Sequence, residues 1–253
     1  MKQYFSQNRS RIELGIVFTL LALWLQMSGA DSSRTIINRL DFLAYDIRLN
    51  LTLPEKRQPS ASNVVIVDID EASLRAEGRW PWSRQKMGAL VTALKQAGVH
   101  TIGFDVAFAE PERNVALELI EAASLSGRLE HKDYLEQLIP DMDRDLAFSK
   151  LLVGQNIVLG FLLHASGEES VGALPSPWSV VSEQQRDRLT VPMMSSHTGN
   201  MPLLQKAATH GGFLNTTMDA DGVLRSTPLI LGDDNMIYPS LSLAMARRYT
   251  KSL

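Results

Sequence analysis

Residues 64–108 read VVIVDIDEASLRAEGRWPWSRQKMGALVTALKQAGVHTIGFDVAF, and the fold turns on how this stretch is parsed. Val64, Val65, Ile66, Val67 and Ile69 make a short run of β-branched residues, the composition of a strand buried on both faces of a sheet. Asp68 and Asp70 close this predicted strand over 64–70. After a polar turn, Ser83 has the side chain to accept the free amides of a helix start, and Met87, Leu90, Val91 and Leu94 then recur at helical spacing. Gly98 suits the left-handed position that ends such a helix. A second apolar run follows over 102–108, with Asp105 inside it. A crossover of this length requires parallel pairing, so the stretch is predicted to be a right-handed βαβ unit. That arrangement would bring Asp68, Asp70 and Asp105 to the carboxyl edge of the sheet, where open parallel sheets bind their ligands.

Working outward, 253 residues suffice for a full core, and the chain is read as one domain behind an N-terminal segment. The net charge of -3 and the lack of a basic run exclude an electrostatic footprint for nucleic acid. The chain has no cysteine, which excludes disulfides, zinc-thiolate sites and cysteine nucleophiles and is compatible with any compartment. Five scattered histidines form no pair at metal-ligand spacing, so each is read as an ordinary surface or structural histidine.

Lys2, Arg9 and Arg11 precede the run LGIVFTLLALWLQMSGA at 14–30. As a helix it would be about 26 Å long at about 1.5 Å per residue, slightly short of a membrane core. One reading is a signal peptide cut after Ala30, with Ser28 and Ala30 as its small residues; the other is an uncleaved anchor whose basic N-terminus stays in the cytoplasm. The anchor is preferred, because the run exceeds a usual signal core and Trp24 suits an interface. A buried soluble helix is disfavoured by the basic flank. Either membrane reading puts the rest of the chain outside the cytoplasm. The domains are accordingly 1–33, cytoplasmic N-terminus and transmembrane anchor, and 34–253, extracytoplasmic domain.

Ile36, Leu40, Leu43 and Ile47 predict a helix over 35–49 that packs on the domain, followed by a polar loop over 54–63. Residues 112–138 read as helical with a break at Gly127 and a stop at Pro140. A helix over 143–152 and a strand over 157–163 continue the alternation. Residues 165–200, rich in Ser, Gly and Pro, read as a long excursion of the functional or mobile kind. A short helix near 203–208 precedes a hairpin of 213–218 with 223–231, turning at Asp219-Ala220-Asp221-Gly222. Pro239 would open a last helix running to about Tyr249. The fold class is α/β: a βαβ-containing mixed sheet flanked by helices, preceded by an N-terminal transmembrane helix.

The ligand-binding candidates are Asp68, Asp70, Trp80, Trp82, Arg84, Asp105 and Arg225. Three aspartates on one edge would hold a divalent cation or a cationic ligand, or else cap loops and pair with Arg48 or Arg84. Trp80-Pro81-Trp82 presents two indoles on a stiff backbone, to stack on a ligand or to seal the core. Arg84 and Arg225 would fork onto a carboxylate or phosphate, or form salt bridges. Asp219 to Gly222 lacks the later glutamate of a calcium loop and is read as a turn. No catalytic residue, metal or cofactor is assigned.

Taken together, Asp46-Ile47-Arg48, IVDIDEASL from Ile66, Gly78, Trp80-Pro81-Trp82 with Arg84, Gly98, Gly103-Phe104-Asp105, Phe108 with Glu110-Pro111, the run Asp219, Asp221, Gly222, Arg225, and Tyr238-Pro239-Ser240-Leu241 resemble the second type of CHASE domain. The match runs from about Arg39 to Arg248, and Ser83 stands where that family often has Pro. The resemblance implies an extracytoplasmic, periplasmic sensor at a bacterial inner membrane, without catalytic activity, binding an unknown ligand or protein. Its output would be a cytoplasmic nucleotide cyclase or kinase absent from this chain, and its expected assembly is a homodimer. A different reading is an exported magnesium-dependent phosphohydrolase of the haloacid-dehalogenase kind. In it Asp68 and Asp70 resemble the nucleophile and acid/base, Gly232-Asp233-Asp234 the metal motif, and Lys206 a phosphate contact. Ala72 stands where that family wants Thr or Val.

Overall fold

A computed structural model describes residues 9–27, 31–53, 63–127, 132–165, 169–186 and 188–250. The chain divides into two compact units, 1–68 and 69–253.

The first unit contains α1 (Arg9–Met27) and α2 (Asp31–Thr52). Among the described residues no helix is long and apolar enough to cross a membrane. The helix takes in Arg9, Arg11 and Glu13 at its start, and the end of the apolar run, 28–30, lies outside the described residues, as does most of the 54–63 loop. On α2, Leu40, Leu43 and Ile47 keep the expected helical spacing but are more than half exposed, so the burial expected for this stripe is not seen.

The predicted strand at 64–70 is not formed: residues 63–70 are irregular. Strand propensity reports how well a branched side chain fits a packed pleated surface. That surface is missing here, since Val65 and Ile66 are 83% and 88% exposed.

In the second unit, α3 (Glu71–Glu77) leads to α4 (Arg84–Gln96), where Ser83 accepts from the Lys86 amide and Gly98 takes a φ of 83° just past the end. Both features agree with the sequence reading. β1 (Ile102–Phe104) is shorter than expected, because the chain leaves the sheet at Asp105. Then come α5 (Val115–Leu125), a turn at Gly127, α6 (Lys132–Leu138), and α7 (Arg144–Leu152) capped by Asp143. β2 (Ile157–His164) is the central strand. Its first half pairs in parallel with β1 on one side and with β6 (His210–Phe213) on the other. Its second half pairs antiparallel with β5 (Ser196–Thr198). The parallel crossover is therefore β1–α5–α6–α7–β2, one unit later than the sequence reading placed it, and a second runs from β2 through α9 (Pro202–Ala208) to β6.

The excursion at 165–200 is more ordered than a loop. It contributes β3 (Ser179–Val180), α8 (Glu183–Arg186) and β4 (Met193–Met194) as well as β5. A second sheet in the order β3-β8-β7-β4 is built on the hairpin of β7 (Ile230–Asp233) and β8 (Met236–Pro239). The hairpin expected around Gly222 is thus displaced: the tight turn falls at Asp234, with φ 52°. Pro239 ends β8 instead of opening α10 (Leu241–Thr250), an allowed place because its missing N–H is tolerated at a strand end.

Helices α4, α7 and α9 cover one face of the parallel sheet, burying Met87, Val91, Phe104, Phe148, Leu152, Leu159 and Leu204 in one core. α10 packs against β1, β2 and β6. Gly212 permits this close approach, since a Cβ there would stand 2.5 Å from the Leu241 Cα. A second core of Phe161, Leu163, Phe213, Leu231 and Tyr238 joins the two sheets.

Candidate functional site

Because α4 and α7 each precede a parallel strand, their N-termini lie at the carboxyl edge of the sheet, the edge the sequence reading singled out. That edge is closed by the protein's own side chains. Arg84 donates through Nε to Asp145 Oδ1 at 2.8 Å and through Nη2 to the Glu110 carbonyl at 2.7 Å. Its guanidinium lies 4.7 Å from the centre of the Phe108 ring. Asp145 Oδ2 accepts the Glu112 amide at 2.7 Å, while Glu112 accepts the Arg84 amide and the Arg144 guanidinium. The Arg84 and Asp145 side chains retain only 11% and 7% of their exposure.

Beside this network, Asn200 is fully buried. It accepts the Phe108 amide at 2.8 Å and donates to the Gly160 carbonyl at 3.0 Å and to Gln205 Oε1 at 3.1 Å. Sequence reasoning missed Asn200. Its signal was faint: a Gly-Asn step before a Pro-started helix.

The remaining candidates are dispersed. Asp68 and Asp105 are exposed, and Asp70 caps α3 by accepting the Ser73 amide at 2.8 Å. Those bonds from Ser73 hold the Asp70 carboxyl below its ordinary value. Among the described residues no group of three or more His, Cys, Asp or Glu side chains is placed to hold a metal. Arg84 pairs with Asp145 and not with the aspartates that the sequence reading offered it. Trp80 is 40% exposed, whereas Trp82 packs against the core and donates to the Gly78 carbonyl at 2.9 Å. Arg225 forks onto Asp221 and reaches Asp219 at 3.0 Å, closing the 219–225 turn on itself. Hydrogen bonds from Arg225 pull the Asp221 carboxyl down to about 2. Of the phosphohydrolase residues, Asp233 is buried on β7 and bonded to His197 at 3.1 Å, while Lys206 is exposed on α9.

The opposite edge is open. A cavity of about 660 Å³ lies where the three parallel strands begin, lined by His100 and Asn156 just ahead of β1 and β2 and by His210 at the start of β6. Arg247 and Arg248, in the last turn of α10, and Trp178, ahead of β3, complete the wall. Arg247 lies 4.4 Å from the centre of a Trp178 ring. Burial, and then the charges of Arg248 and Arg247, hold His210 below the ordinary histidine value. The sequence signal here is a polar residue at or just ahead of the start of each parallel strand and an arginine doublet near the end of the last helix.

A family model of the CHASE2 domain matches residues 16–253, nearly the whole chain and all of both sheets. The chain belongs to the CHASE2 domain family. CHASE2 domains are extracellular sensory domains, so this chain is a sensory domain, and its resemblance in sequence to that family is borne out. No curated protein and no solved structure matches it.

Proposed function

We propose that this CHASE2 chain is the extracytoplasmic, non-catalytic sensing part of a bacterial signalling protein anchored in the inner membrane by residues 1–33 and working as a homodimer. The carrying observation is the family match over 16–253. The anchor draws support from α1. Leu14, Ile16, Val17 and Phe18 are each more than half exposed, and residues this close in sequence point around the whole helix circumference. A helix apolar on every side belongs in an apolar surrounding. The output, a nucleotide cyclase or kinase, would be reached through helices flanking the domain, α2 on entry and α10 on exit.

A stimulus acts on such a protein only through its differential affinity for two arrangements of those helices. Driving the population from 1:99 to 99:1 takes a preference of about 10⁴-fold, whatever the total affinity. The test is topological. Alkaline phosphatase joined after Thr250 should be active in intact bacteria and lose that activity when residues 1–33 are removed. An inactive phosphatase at that position, with a cytoplasmic reporter active there instead, would overturn the proposal.

A further inference from the structure

The amino-edge cavity has the size of a small-molecule site, which commonly falls in the range of about 300–1,000 Å³. Its charge is one-sided. Arg247 and Arg248 are permanently cationic, and the residues lining the cavity, among those described, include no Asp or Glu. Arg248 Nε is buried with no hydrogen-bond partner among the described residues, a donor in want of an acceptor. The Arg247 guanidinium lies over a Trp178 ring, 4.4 Å from its centre, a cation–π contact that holds it at the cavity wall, and a guanidinium can meet a carboxylate or phosphate with two donors. Pro175, Pro177 and Trp178 supply an apolar wall beside these donors. A cation entering here would meet two guanidinium groups.

We propose that this cavity is the stimulus site of the sensory domain and that it takes a small organic oxyanion, a carboxylate or phosphate on a flat or apolar body. This assignment rests on the sensor reading, because it makes α10 the element that reports occupancy. An anion bound by Arg247 and Arg248 draws the last turn of α10 toward the start of β1, β2 and β6. The titratable and charged groups lining the cavity are His100 ahead of β1, His210 on β6, and Arg247 and Arg248 on α10. A bound anion offsets the two arginine charges that disfavour protonated His210. Binding therefore takes up a proton and strengthens as the pH falls below the ordinary histidine value of 6.5.

The experiment uses the full chain in zwitterionic nanodiscs, with the His210 imidazole followed by NMR and assigned with His210→Gln. Benzoate, lactate and dimethyl phosphate, whose charges are constant between pH 5.5 and 7.5, are titrated against chloride at equal ionic strength. The expected result is a saturable His210 shift with at least one probe, tighter at pH 5.5 than at pH 7.5 and weakened about tenfold or more in Arg248→Gln, as expected for losing a charged hydrogen bond. Shifts equal to those of chloride, or undiminished in Arg248→Gln, would overturn the site. Should Arg248→Gln not fold, Arg247→Lys, which keeps the charge but loses the planar fork, is expected to weaken binding in the same assay; unchanged binding would overturn it. Nanodiscs with anionic lipid separate the two sources of phosphate. A shift there without any soluble probe would give the oxyanion to a lipid headgroup and overturn the small-molecule assignment. Hydrogen exchange of the α10 amides keeps the two ideas apart. Binding with unchanged exchange would retain the site and sink its coupling to α10, whereas absence of binding would sink the site and leave the sensor reading standing.

Discussion

Replacing Asp145 with alanine tests whether the carboxyl edge is a structural closure. The carboxylate carries the charge that pairs with Arg84 and accepts the Glu112 amide, and both partners remain once it is gone. With side-chain exposures of 11% and 7%, the pair lies in the regime where removing one partner leaves an uncompensated buried charge, costing about 3–5 kcal/mol. The stranded Glu112 amide falls within the same loss. For a unit of this size that corresponds to a fall in Tm of roughly 6–20 °C, at about 2–4 °C per kcal/mol. Asp145→Asn leaves the same guanidinium uncompensated but keeps an acceptor for the amide, so it should cost less than the alanine change only by the share of that amide, about 1–3 kcal/mol. The double change Arg84→Met with Asp145→Leu should recover at least half of the alanine loss, because burying a well-packed apolar pair avoids the desolvation of two charges. Urea denaturation read by near-UV circular dichroism measures all three. If Asp145→Ala stays within about 1 kcal/mol of the parent, below the buried-pair range, water reaches the guanidinium. The closure argument then fails, and Arg84 returns as a group free to hold a ligand.

Asn200→Leu should cost several kcal/mol in the same denaturation assay, since it strands the Phe108 amide and the Gly160 carbonyl at about 1–3 kcal/mol for each buried group left unmade. Gly212→Ala should destabilise more than Gly103→Ala. The new Cβ at 212 meets the Leu241 backbone at 2.5 Å, whereas at 103 it meets the flexible Met245 side chain; overpacking of the second kind costs about 1–3 kcal/mol. The 219–225 turn is acid-sensitive. The Asp221 carboxyl is lowered to about 2, so its contribution is complete above the unfolded value of 3.8 and is lost as the pH falls toward 2; Arg225→Gln should return its NMR titration to near 3.8. His210 has the same sign at a higher pH. Its lowered value means that stability is complete above 6.5 and falls on acidification through that value, a loss that His210→Gln should remove from the Tm–pH profile.

Helix starts and stops were legible because they are local. Ser83, Asp143 and Gly98 each solve a problem of unsatisfied backbone groups within a turn of their own position, and all three stand where the sequence put them. Strands were less legible, because a strand is completed by a distant neighbour. The apolar run at 64–69 carries more β-branched residues than Ile102–Phe104, yet the latter is paired, with Ile102 set against Ile157. Tyr238-Pro239 illustrates a different loss. The sequence alone places Pro239 as a helix opener, but pairing of Pro239 with Ile230 holds it at the end of a hairpin. The arginines were the hardest to place. Arg84 and Arg225 look alike in sequence to Arg248, and what separates them among the described residues is that a carboxylate meets each of the first two.

This difference also decides where an anion can go. The N-termini of α4 and α7 at the carboxyl edge carry partial positive charge and free amides, the usual welcome for an anion. Here the chain fills the place itself: Glu112 accepts the first amide of α4, Asp143 caps α7, and Asp145 neutralises Arg84. An incoming oxyanion would have to displace carboxylates already held by buried hydrogen bonds. At the amino edge the balance is reversed. The C-termini of α4, α7 and α9 offer roughly half a negative charge each, weakened outside the last turn and by screening. Against these stands the guanidinium of Arg248, whose buried Nε has no acceptor among the described residues. The general rule for parallel sheets points to the carboxyl edge, but it presumes that the edge is open; in this sheet the open edge is the other one.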